Sequence, residues 1–206
     1  MFNPTKIIAI GLNYHDHAKE MNVSVPKYPL IFMKPPTSVI LNGESIIYPD
    51  QTKELHYEGE LGIVIKEKIK NVAKKVAYKY IAGYTCANDI TARDLQRIDG
   101  QWTRSKSFDT FCPLGPRIVS DIDPLDGLEI TTKVNGLIKQ HSSTKNMIFN
   151  VFELVSFISS IMTLMPGDII ITGTPPGVGP LNVGDIVEVE IEGIGVLRNN
   201  VIGPYT

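Results

Sequence analysis

The 206 residues are 43% hydrophobic and 20% charged with a net charge of −2, an ordinary globular composition in a chain long enough to bury a core. Basic and acidic residues are mixed along the sequence rather than gathered into a basic face, which excludes nucleic acid as the main partner. No apolar run approaches the roughly 20 residues a membrane helix needs, and the opening MFNPTKIIAIG has no secretory-signal pattern, so a cytoplasmic protein is expected.

Taken in order, residues 6–11 form a short apolar strand, Asn13 is placed to cap a short helix running through Glu20, and residues 30–34 make a second strand. Residues 58–67 (EGELGIVIKE) alternate and then turn continuously apolar, as a strand does on entering a core. Asn71 is placed to cap a helix over 72–80. Residues 81–90 are rich in β-formers and end in the polar pair Asn88-Asp89, after which Thr91 opens a turn or two of helix through Gln96. Asn135-Gly136 divides the alternating stretch 128–141 into a hairpin. Asn150 and Glu153 form a capping-box start, and apolar residues at 151, 154, 155, 158, 161 and 162 give one buried face to a helix through Leu164, stopped by Pro166-Gly167. Strands at 168–173, 185–193 and 194–202 complete the chain.

The pattern predicts a mainly β fold with a few helices packed outside, and not a doubly wound α/β fold, because strands and helices do not alternate. Without repeats, low-complexity tracts or linkers, one domain over 1–206 is expected. Cys86 and Cys112 match no metal or redox spacing and read as reduced, buried thiols.

Chemistry concentrates at His56-Tyr57-Glu58-Gly59-Glu60-Leu61. On a strand, Glu58 and Glu60 point to the same side, and two carboxylates so placed repel unless a cation joins them or one is protonated. An exposed acidic edge explains such a pair by itself. The apolar run that follows argues instead for a buried position, and Asp89, at the end of another strand, supplies a third isolated acid. Three carboxylates meeting from two strands make a hard-oxygen site suited to Mg²⁺, Mn²⁺ or Ca²⁺ rather than zinc. The glycine- and proline-rich stretch 173–180 contains neither phosphate-binding fingerprint, and no G-x-S-x-G elbow is present, which argues against nucleotide binding and serine hydrolysis.

The blocks GLNY at 11–14 with His17 and Glu20, PLIFMKPPTS at 29–38, HYEGEL at 56–61, GYTCANDITARDLQ at 83–96, KSFDTFCPLGP at 106–116 and GDIIITGTPPGVGPL at 167–181 resemble the fumarylacetoacetate hydrolase family, and its short-chain members most. The resemblance covers nearly the whole chain. It implies a mixed β-sandwich roll, usually built into homodimers, in which Glu58, Glu60 and Asp89 bind Mg²⁺. It further implies that His17 and Glu20 lie on a lid, within about residues 1–50, that orders over the substrate. A carboxylate that holds an imidazole fixes its tautomer and raises its basicity, so this pair suits a general base; spacing alone favours a plain surface pair, and the resemblance reverses that reading. Lys106 resembles the family's active-site lysine, able to stabilise negative charge on the substrate; Lys34 is either part of the site or structural. Arg93 and Gln96 resemble residues that bind the substrate's carboxylate and carbonyl, and Thr174 resembles a threonine that contacts the carboxylate. Without the resemblance, Arg93 reads as an ion pair with an acid such as Asp94, and Thr174 as a turn residue.

The implied activity is Mg²⁺-dependent hydrolysis of a C–C bond in a small acylpyruvate or 1,3-diketo acid through a metal-bound enolate. The same intermediate also serves a 2-hydroxyhepta-2,4-diene-1,7-dioate isomerase or decarboxylase of aromatic degradation, or an oxaloacetate decarboxylase. A non-catalytic, metal-stabilised binding domain is the alternative of a different class, and it has no use for the His17–Glu20 pair.

Overall fold

The computed structural model describes residues 2–204. In chain order its strands are β1 (Ile7–Gly11), β2 (Leu30–Lys34), β3 (Val39–Leu41), β4 (Ser45–Ile47), β5 (Leu55–Tyr57), β6 (Gly59–Ile65), β7 (Ile81–Asn88), β8 (Thr91–Ala92), β9 (Cys112–Val119), β10 (Glu129–Val134), β11 (Leu137–Ser143), β12 (Ile169–Ile171), β13 (Gly179–Leu181), β14 (Ile186–Ile191) and β15 (Gly195–Ile202). The α-helices are α1 (His15–Glu20), α2 (Arg93–Asp99), α3 (Thr103–Lys106) and α4 (Val151–Ile161). The mainly β reading of the sequence holds.

The strands form a seven-stranded sheet, β2-β1-β12-β6-β7-β9-β3, a five-stranded sheet, β11-β10-β14-β15-β4, and a three-stranded sheet, β13-β5-β8. The first two are mixed: β1 runs parallel to β12, β3 to β9 and β4 to β15. Period-two alternation divides the large sheet's side chains. Ile8, Ile10, Leu61, Ile63 and Ile170 join Val189, Ile191 and Leu197 of the five-stranded sheet and Leu154, Val155 and Ile158 of α4 in one core. Ile7, Ala9, Val64, Ala87, Ile169 and Ile171 face the other way into a smaller cluster. The central strands are therefore apolar on both faces, which is why residues 61–65 read as a continuous hydrophobic run.

Several local expectations are met. Asn150 Oδ1 accepts from the Phe152 and Glu153 N–H groups, both at 3.1 Å, and Glu153 returns a bond to the Asn150 N–H at 2.9 Å. Asn135 and Gly136, at φ 52° and 78°, turn the β10–β11 hairpin in the left-handed backbone conformation that a two-residue loop favours. Others are corrected. Helix α4 stops at Ile161 rather than Leu164, because Leu164 exchanges backbone hydrogen bonds with Ile69 and is drawn into an extended bridge. Residues 74–80 wind as a 3₁₀ helix, and Asn71 makes a left-handed turn (φ 56°) ahead of it instead of capping it. Tyr14, not Asn13, occupies the cap position of α1. The Asn13 side chain is committed elsewhere, donating to the Phe149 and Thr172 carbonyls at 3.0 and 2.7 Å and accepting from the Phe149 N–H at 2.8 Å. Thr91 lies in β8, and α2 begins only at Arg93.

Candidate active site

Glu58 sits at the break between β5 and β6, and Glu60 is the second residue of β6. The Glu58 N–H donates to the Asn88 side chain at 3.0 Å, and the Asp89 N–H donates to the Glu58 carbonyl at 2.8 Å, which ties the end of β7 to the start of β6. That crossing brings oxygens of Glu58, Glu60 and Asp89 within 4.8 Å of one another, all three residues being buried. The convergence expected from two strands is present.

Three basic groups meet this cluster. Lys34 Nζ lies 2.6 Å from Asp89 Oδ1, and Lys106 Nζ lies 2.5 Å from Asp89 Oδ2 and 2.8 Å from Glu58 Oε2. Arg93 pairs with Glu58 Oε1 and holds Gln96 Oε1 at 2.5 Å. Lys34 is thus part of the cluster. Arg93 does not pair with Asp94, whose carboxylate receives Thr52 and the Lys53 and Leu95 N–H groups. Burial alone would raise the Glu58 pKa, but Lys106 and Arg93 outweigh it and hold the carboxyl well below its usual range. Burial also works against a charged Lys106, yet Asp89 and Glu58 keep its pKa above the ordinary value. Glu60 differs. It accepts the Gly173 N–H at 2.7 Å, while burial, followed by repulsion from Asp89 and Glu58, pushes its pKa well up.

The donor set fits a hard divalent cation. Three buried carboxylates converge, and one of them is disfavoured as an anion by its own neighbours, a condition that a bound cation relieves. Such an ion would share Glu58 and Asp89 with the lysines already there.

A cavity of about 130 Å³ opens beside the triad, lined by Glu58, Glu60, Arg93, Gln96, Lys106, Thr174 and His17 on its polar side. His17 Nδ1 is 2.8 Å from Glu20 Oε2, as the helical spacing of the two residues predicts. Beyond α1, the side chains of Met21, Val23, Val25 and Tyr28 are exposed. Thr174 is buried, with its hydroxyl donating to the Gly59 carbonyl at 3.0 Å and accepting from Gln140 Nε2 at 2.8 Å. Its hydroxyl hydrogen is therefore engaged within the protein.

The apolar wall was not legible in the sequence. Phe32 stacks edge-on against Trp102 with ring centroids 5.1 Å apart, and Lys106 Nζ stands 5.1 Å from the Phe32 centroid. Gly11 allows this arrangement, since a Cβ there would lie 2.8 Å from the Trp102 ring. Trp102 belongs to no periodic segment, so no pattern marks it. Burial pushes the thiols of Cys86 and Cys112 up to about 12, consistent with two inert, reduced cysteines.

Residues 6–202 match the fumarylacetoacetate (FAA) hydrolase C-terminal family. The chain belongs to that family. An uncharacterized protein of Methanocaldococcus jannaschii is 65% identical over 198 residues, spanning 96% of this chain and 83% of that protein. A mitochondrial oxaloacetate tautomerase of Rattus norvegicus is 46% identical over 209 residues, covering 97% of this chain and 67% of the tautomerase. The crystal structure of a 5-carboxymethyl-2-hydroxymuconate delta-isomerase from Mycobacterium smegmatis superposes with a TM-score of 0.93 at 48% identity, over 98% of this chain and 80% of that one. The fold is accordingly that of the fumarylacetoacetate hydrolase family, as the resemblance implied. Among the described residues no helix is long and apolar enough to cross a membrane.

Proposed function

We propose that this family member is a divalent-metal-dependent enzyme that moves protons on a small 2-keto acid, interconverting keto and enol forms or shifting a conjugated double bond. The observation that carries this reading is one small cavity bounded by Glu58 and Glu60 of the Glu58–Glu60–Asp89 triad and by His17, whose ring is held by Glu20. Glu58, Glu60 and Asp89 would hold Mg²⁺ or Mn²⁺, and the cation would supply Lewis-acid polarisation of a substrate carbonyl. Arg93 presents a fork of donors to a substrate carboxylate, with Gln96 beside it. Lys106 donates toward the oxygen on which negative charge grows. His17, with Nδ1 committed to Glu20, takes a proton at Nε2 and returns it to the neighbouring carbon or oxygen. Phe32 and Trp102 keep water from that wall and strengthen each of these interactions. The names of the rat tautomerase and the mycobacterial isomerase, both proton-shifting enzymes, support placing this chemistry ahead of C–C hydrolysis, the activity that the sequence blocks put first.

Hydrolysis is the second reading, and the same His17–Glu20 pair favours it, because an oriented base can deprotonate water as readily as carbon. Oxaloacetate decarboxylation needs no base and only an electron sink. Membership in a family of enzymes speaks against a non-catalytic binding domain. A homodimer agrees with the resemblance and with the apolar side chains Leu30 and Met33 left exposed on edge strand β2; light scattering checks it.

The test is a panel of enol-oxaloacetate, oxaloacetate, acylpyruvates and the heptadienedioate, assayed with Mg²⁺. The proton shift should show the highest kcat/KM, disappear with chelator and return with Mg²⁺ or Mn²⁺. Faster acylpyruvate cleavage would move the assignment to hydrolysis, and activity indifferent to chelator would overturn it.

A further inference from the structure

We infer that Tyr57 is a positioning residue: through Gly177 it sets the Glu20 carboxylate, and with it the His17 ring. This inference rests on the functional reading above and adds to it a residue to which the sequence assigned no role.

Glu20 is half-exposed and needs partners to stay in place. It holds His17 Nδ1 at 2.8 Å, and its two oxygens receive the Gly177 N–H at 3.1 and 3.4 Å. The donor thus sits on the 173–177 loop, outside the lid. Gly177 has a φ of 93°, and a Cβ there would run into the Lys139 carbonyl, so the loop lies pressed against β11 at a point where glycine is required. Glycine is also the residue with the most freedom to rotate, and an orienting donor placed on it must be braced from outside. Two side chains brace it. The Tyr57 hydroxyl donates to the Gly177 carbonyl at 2.8 Å, and Gln140 Nε2 donates to Thr174 Oγ1 and to the Pro175 carbonyl, both at 2.8 Å. Gln140 Oε1 in turn accepts the Gly59 N–H at 3.0 Å, between the two glutamates of the triad. The loop therefore registers the lid base against the metal strand: Gln140 fixes its start and Tyr57 fixes the residue that touches the lid. The Tyr57 ring is buried in a cluster with Leu55, Ile90 and Leu181, so packing holds the ring and leaves the hydroxyl free to serve the loop.

Tyr57→Phe isolates that hydroxyl, since the ring and its packing remain. With Mg²⁺ present, kcat for the proton shift should fall about tenfold with KM within about twofold of wild type, because a small misplacement of a reacting group slows the step more than it weakens binding. In a His17→Ala background the same substitution should cost nothing further. Equal tenfold losses in both backgrounds would overturn the proposal. A readout independent of turnover is the ¹⁵N shift of the His17 ring nitrogens, which Tyr57→Phe should move in the direction that Glu20→Gln moves it, with His15 and His141 unchanged. A His17 resonance at its wild-type position in Tyr57→Phe overturns the positioning role whatever the activity. If that resonance moves while no substrate of the panel is turned over, the functional reading fails and the positioning role stands.

Discussion

In the proposed reaction the triad and the His17–Glu20 segment serve two different halves, and the two are built in opposite ways. Around Glu58, Glu60 and Asp89, charge is buried and answered at short range by Lys34, Lys106 and Arg93, and the strands that carry it are apolar on both faces. The His17–Glu20 pair sits on a six-residue helix with one buried side chain, Ala18. Its tethers are few: the Gly177 N–H on Glu20, and Ser142 Oγ on Asp16 Oδ2 at 2.6 Å with Asn146 nearby. Buried charges have to be held where they are, since a displaced one loses its compensation. A base that must admit a substrate and release a product works only if its support can part at low cost. The difference teaches that the buried half of the site is held by charge compensation and the exposed half by a few hydrogen bonds.

The contrast can be broken most sharply at Lys34. Lys34→Met leaves Asp89 with one ammonium instead of two in a buried setting, and urea unfolding of the metal-free protein should show a loss of about 3–5 kcal/mol. A loss below 1 kcal/mol would mean that the cluster is not held by charge compensation. His17→Ala should leave stability near wild type while slowing proton shift or hydrolysis by about 10²–10⁴-fold. Oxaloacetate decarboxylation, where present, should be largely retained. Equal loss of all activities would remove His17 from the role of base.

Divalent ions should distinguish the halves again. Mg²⁺ or Mn²⁺ at about a hundredfold above Kd should add about 2.7 kcal/mol to stability, and Glu60→Ala should abolish the effect whereas His17→Ala should not. The pH dependence has a definite sign. Burial and the neighbouring Asp89 and Glu58 raise the Glu60 pKa, so binding an ion displaces a proton, and affinity measured by calorimetry should strengthen as pH rises toward neutrality. An affinity flat from pH 5 to pH 8 would show Glu60 already ionised without the ion. The smallest effect belongs to a lid tether. Ser142→Ala should cost about 1 kcal/mol locally, seen as faster amide exchange in residues 15–23 with the thermal midpoint almost unmoved.

What the sequence determined by itself was every side chain whose chemistry is coded in its type and spacing. Two glutamates two apart ahead of an apolar run, an acid closing another β-rich run, and His17 three residues before Glu20 each declare a face, because strand and helix periods are fixed by the backbone, while the roles came from the family resemblance. The capping box at Asn150 and the turn at Asn135-Gly136 were legible for the same reason, as local hydrogen bonds and local dihedrals. Only the tertiary structure decided the contacts between segments far apart in the chain. Asn13 looks like a cap until the Phe149 and Thr172 carbonyls arrive from other elements and take its side chain. Leu164 continues a helical pattern until Ile69 offers it a strand partner. Phe32 meets Trp102, and Tyr57 meets Gly177, across separations that carry no period. Lys34 sits in a short run that suits a surface strand as well as a buried one, and the position of Asp89, delivered by a different strand, makes it part of the site. Periodicity reports which way a side chain points, and what it meets there is set by the fold.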